Sequence, residues 1–155
     1  MRNIIPVDQE IVEQGYGDCL RACYATLLSL PIDAVPNFIR HGPRWFLVLQ
    51  QFLWSVGMEF IGTGHYNSYQ QRLPLYEETM KGYVKASVAS RVFKGGTHAV
   101  IMNQSGLVIH DPSPLKRHQG VNVILSGELH SFDIITPRTD KAWEGWSLKR
   151  GDSKG

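Results

Sequence analysis

At 155 residues the chain suits one ordinary domain and is too short for two. Its 43% hydrophobic and 19% charged content excludes a disordered chain, and 16 basic against 14 acidic residues, with no long block of one sign, excludes the basic stripe of a nucleic-acid-binding surface. No apolar run reaches the ~20 residues of a membrane span, and the first residues lack a signal-peptide pattern. The expectation is a soluble cytoplasmic domain over residues 1–140, with no nucleic-acid or membrane partner, followed by a C-terminal tail over 141–155 whose last few residues are frayed and solvated.

The first 13 residues read as an extended lead-in. Gln14-Gly15-Tyr16-Gly17-Asp18 is turn-rich and ends in a good helix cap. Residues 19–30 carry apolar side chains on most sides, which predicts a buried helix with Asp18 accepting from its first free N–H groups. Pro31 stops that helix, and a short helical turn is expected before Phe38. Pro43 opens a further helix to Val56, with Gly57 in the left-handed position after it. Trp45, Leu49, Phe52, Leu53 and Val56 share one face and, with Trp54, are read as core.

After Gly57 the period changes. Residues 58–61 predict a short strand and 62–74 a polar loop. Residues 83–93 alternate as a strand, and Lys94-Gly95-Gly96 makes a turn. Residues 97–102 and 107–111 flank Asn103-Gln104-Ser105-Gly106, a strong hairpin signal. Residues 121–125 and 131–135 predict further strands. Helices first and an antiparallel sheet afterwards indicates the α+β class. Trp143 and Trp146 would cover an apolar edge or line a partner site.

Cys19 is the first chemical candidate. Free cysteines are usually buried and inert, but the first turn of a capped helix offers N–H groups and a dipole that favour a thiolate. Cys23, one turn later among apolar residues, reads as core. A nucleophilic thiol needs a base, and the base needs an orienting group. A hairpin centred between Gln104 and Ser105 sets His98 directly opposite Asp111, with Cβ atoms about 4.5–5.5 Å apart on one face. Taken singly, His98 is a strand histidine and Asp111 a turn residue before Pro112; the pairing is what suggests function. His110 faces the other way, beside Ala99. The backbone N–H of Cys19 would serve as an oxyanion donor, and the Gln14 side chain reads either as a second donor or as an ordinary solvated loop residue. A zinc site on Cys19, Cys23 and a histidine lacks a fourth ligand, so neither metal nor organic cofactor is expected.

Gln14, Asp18-Cys19 opening a helix, Thr97-His98-Ala99-Val100 on a strand, and His110-Asp111-Pro112 together resemble a papain-like cysteine peptidase. More narrowly they resemble the C39-like branch, which uses Cys, His and Asp and often has Asp-Pro at the third position. Similar small freestanding proteins, with a Gly-Asp-Cys-x-Arg-Ala-Cys segment and a later Thr-His-Ala-Val, occur in bacteria and phages. The resemblance spans residues 9–115. It implies a papain-like fold with Cys19 as nucleophile, His98 as base then acid, Asp111 as orienter and Gln14 as oxyanion donor. The implied activity is peptide or isopeptide hydrolysis on a peptide or protein substrate. The alternatives are acyl transfer through the same thioester, or an inactive module that binds a host protein partner if phage-encoded. Gln14 lies five residues before Cys19 where the family glutamine usually lies six before, and Leu20 stands where the branch often has Gly.

Overall fold

Two helices come first and an antiparallel sheet follows in the computed structural model, which describes residues 4–12, 17–65 and 82–138. Helix α1 spans Cys19–Leu28 and α2 spans Trp45–Ser55, with 3₁₀ turns at Ile32–Ala34 and Phe38–Arg44 between them. Strands β1 (Met58–Gly64), β2 (Tyr83–Ala89), β3 (Thr97–Asn103), β4 (Val108–His110) and β5 (Leu129–Pro137) form one sheet. Its order is β1-β5-β2-β3-β4, and every neighbouring pair is antiparallel. The α+β class is therefore the observed one. Among the described residues no single helix is long and apolar enough to cross a membrane.

The core sits between α1 and the sheet. Leu20, Ala22, Cys23, Tyr24, Ala25 and Leu27 are all buried, the pattern of a helix enclosed by protein. Tyr24 meets Phe38 edge-on at 6.0 Å, and Phe38 meets Phe52 of α2 at 5.8 Å. That aromatic chain ties both helices together. α1 ends at Leu28, short of the expected Leu30, because Pro31 steers the residue before it away from helical angles. Ser29 takes a left-handed φ of 56°, and the Leu30 N–H donates to Ala25 O at 2.9 Å. Gly57, with φ of 84°, ends α2 as its position predicts.

Several expectations need correction. Trp45 and Trp54 are 38% and 45% exposed, and Val56 is exposed too; only Leu49, Phe52 and Leu53 of that helix face are core. β1 runs on to Gly64, past the expected end at Ile61. β2 stops at Ala89 and not at Phe93, because Ser90 Oγ accepts from the N–H groups of Val92 and Phe93 and turns the chain. Residues 121–125 form no strand beyond one bridge, Leu107 to Asn122. There Asn122 Oδ1 accepts from Ile124 N and Leu125 N, offering the backbone a turn in place of a ladder. The tail with Trp143 and Trp146 and most of the 62–74 loop lie outside the described residues.

Candidate active site

Cys19 opens α1, as its spacing after the turn-rich segment predicts, but Asp18 does not cap the helix with its side chain. Its Oδ1 instead accepts from Glu10 N at 2.9 Å and Ile11 N at 2.8 Å. The carboxylate thus fastens the lead-in across the start of α1. Further along, Val7 N donates to Thr26 Oγ1 at 3.0 Å and Gln9 N donates to Pro112 O at 2.9 Å. Residues 7–11 are a strap joining the thiol helix to the segment that follows β4. A cap is the nearest use of an aspartate in sequence, but two strap N–H groups from eight and seven residues upstream win the same oxygen.

His98 and Asp111 meet: His98 Nε2 lies 2.7 Å from Asp111 Oδ1. The register that brings them together is not the simple one. Met102 pairs with Val108, but Ile101 pairs with His110, so Ile109 is an extra residue in β4. Without that bulge, alternation would put His110 on the face of His98 and turn Asp111 away. With it, Asp111 returns to the face of His98, one residue past the last ladder pair Ile101–His110, and the directly opposite pairing of His98 with Asp111 that the sequence predicts is not the one formed. His110, buried on the other face, donates from Nε2 to Val7 O at 2.8 Å and so holds the strap.

Asp111 is fully buried and well satisfied. Oδ1 also accepts from Ser113 N at 2.9 Å, and Oδ2 accepts from His118 N at 2.9 Å. Burial pushes this carboxyl up, but the His98 hydrogen bond and the two backbone donors prevail and hold it down at about 2. Burial likewise pushes His98 down, and its bonds to Asp111 and to Cys19 lift it to about 9. Cys19 is half-buried; burial raises its thiol, and the His98 hydrogen bond and charge, the Ala99 N–H and the Lys85 charge together lower it. With Nε2 on Asp111, Nδ1 is the nitrogen left to face the thiol. Thiol down and imidazole up is the pattern of a thiolate–imidazolium pair held by a carboxylate. The lowering comes from His98 and Ala99 of β3 and Lys85 of β2, and not from the helix start that the sequence suggested. Cys23, fully buried, is pushed the other way, first by burial.

A second histidine, which no sequence pattern marks, packs against this pair. His118 is 1% exposed, and its ring stacks on His98 at 5.9 Å. Its Nε2 lies 3.1 Å from Glu128 Oε2, and Arg91 grips Glu128 with two bonds of 2.8 and 2.6 Å. No periodicity could announce His118, because it lies on a loop whose fold is set by Asp111 itself. His98, Asp111 and His118 bring one donor atom each within 4.8 Å of one another, a spacing that would suit a metal ion. His98 Nε2 and both Asp111 oxygens are already committed to the hydrogen bonds above, so the trio reads as a network of polar groups.

The thiol opens on a cavity of about 550 Å³ lined by Cys19, His98, Trp45, Leu20, Lys85 and Ser87 among others. Trp45 is therefore a cleft wall. Lys85 is nearly buried; its Nζ lies 3.3 Å from Asp133 Oδ2 and donates to Ser87 Oγ at 2.9 Å. Tyr24 donates to the same Asp133 oxygen at 2.7 Å. The available signal was a lone lysine amid Val84, Ala86 and Val88, in a strand buried on both faces. Gln14 lies outside the described residues. Comparison with known protein families, curated proteins and solved structures finds no match to this chain.

Proposed function

We propose that the chain is a cysteine-dependent hydrolase of papain-like fold that cleaves an amide bond in a peptide or protein. The observation that carries this reading is the unbroken series Cys19–His98–Asp111 at the wall of a cavity, with the thiol and imidazole shifted in opposite senses. The Cys19 thiolate attacks the carbonyl carbon, and His98 gives its proton to the departing amine. The acyl group is left as a thioester, which water resolves with His98 now acting as base. Asp111 keeps the imidazole oriented and charged. Replacing water by an amine in the last step would make the same site an acyltransferase.

The test is intact-mass analysis at neutral pH with iodoacetamide and with a peptide aldehyde. Each should add one label, at Cys19, and Cys19→Ser should take up neither while keeping the fold. Labelling of Cys23 in preference to Cys19, or no labelling of the native protein, overturns the reading. A peptide pool incubated with and without amine acceptors separates hydrolysis from transfer, and a labelled thiol with no turnover of any pool points to a binding module.

A further inference from the structure

We infer that Ser87, polarised by Lys85, is an oxyanion donor of this site, an assignment that rests on the reading of Cys19 as nucleophile. Ser87 stands directly across from Ala99 in the β2–β3 ladder. Ala99 supplies the N–H that faces the Cys19 thiol, so Ser87 sits one strand over from the reacting sulfur, and Cys19, Ala99, Lys85 and Ser87 line one cavity.

The donor chemistry follows from how Ser87 is bonded. Its oxygen accepts from the Lys85 ammonium at 2.9 Å, and among the described residues nothing takes its hydroxyl proton. A hydroxyl that already accepts from a cation is a stronger donor through its own O–H. Lys85 is held in place by Asp133, itself pinned by Tyr24 of α1. The ion pair keeps the cluster close to neutral before substrate arrives. When Cys19 attacks, the new S–C bond forms as the carbonyl π pair moves onto oxygen. Ser87 O–H and the Cys19 backbone N–H meet that charge as it forms. On collapse the electrons return, the C–N bond breaks, and the amine leaves with the proton from His98.

The experiment compares two reactions of the same thiol. Alkylation by iodoacetamide passes through no oxyanion, whereas a peptide aldehyde forms a hemithioacetal that carries one. Ser87→Ala should leave Cys19 alkylation within twofold of native and weaken the aldehyde adduct and peptide turnover about 10²-fold. Ser87→Thr, which keeps the hydroxyl on a strand position that tolerates branching, should restore most of the loss. Equal aldehyde affinity in Ser87→Ala and native protein overturns the assignment, as does failure of Ser87→Thr to recover while alkylation stays normal. A native protein whose Cys19 takes neither reagent sinks the nucleophile reading instead, so the two failures are distinct.

Discussion

Asp111 accepts from His98 Nε2 at 2.7 Å although the β3–β4 ladder ends one residue earlier, at Ile101–His110, and the extra residue Ile109 in β4 is what turns the carboxylate onto the imidazole face. A bulge aims this side chain, as bulges beside functional sites commonly do. Around it the carboxylate is so fully bonded that its replacement is a structural event as well as a chemical one.

Asp111→Asn illustrates this. At an exposed turn the change would move stability by no more than about 0.5 kcal/mol. Here the residue is fully buried with three donors converging on its oxygens, and an amide NH₂ must face one of them. We expect a loss of about 1–3 kcal/mol. Cys19 alkylation should slow for Asn and slow further for Ala, since the alanine leaves His98 Nε2 without its acceptor. Urea unfolding and alkylation rates of the two variants check both statements.

His110→Ala should separate stability from reactivity. The ring lies on the opposite face from His98 and holds Val7 O of the strap. Its loss should cost about 1–3 kcal/mol and increase protease cleavage near Val7, while Cys19 alkylation stays close to native. A reactivity loss larger than that of Asp111→Ala would mean the bulge assignment is wrong.

The pH behaviour follows from signs. His98 is raised from 6.5 to about 9 in the folded protein, so the stability it contributes is complete below about 6.5 and is lost as pH rises through about 9. Asp111 is lowered from 3.8 to about 2, so its contribution is complete above about 3.8 and is lost as pH falls through about 2. The lowered Cys19 thiol works against the His98 slope on the alkaline side, because its contribution grows as the thiolate forms. Cys19→Ser removes part of what lifts His98. Its imidazole should then titrate lower, and the alkaline loss of the His98 contribution should be smaller and complete nearer neutrality. NMR titration of His98 and denaturation across pH measure the two effects.

Gly64→Ala should be damaging for a reason of space. A Cβ there would fall 2.1 Å from the Phe132 ring, its cross-strand partner, and Phe132 is fully buried in the core. β5 is hydrogen-bonded on both sides, to β1 and β2, and the ring is enclosed by the core, so the cost should reach about 1–3 kcal/mol. Phe132→Leu, combined with Gly64→Ala, should recover part of it in thermal melts.

The order of elements, the α+β class, the 103–106 hairpin and the residue types at positions 19, 98 and 111 were all legible in the sequence, because caps, breakers and periodicity act within a few residues. The same local rules misjudged Asp18, Ser90 and Asn122. Each has a short polar side chain that can bond either its own helix or ladder or a competing backbone group, and only the folded neighbours decide which is in reach. Trp45 and Val56 fell on the right helical face yet stayed exposed, since a face says nothing of how far its covering layer extends. Whether Asp111 or His110 would meet His98 depended on one extra residue in β4, a choice of parity that alternation alone cannot make. His118, Glu128 and the Lys85–Ser87 pair join the thiol only through loop closure and neighbouring strands, where burial makes an unpaired polar group costly and so selects its partner. Tertiary contact decided those residues, because the energy that fixes them comes from groups far away in the chain.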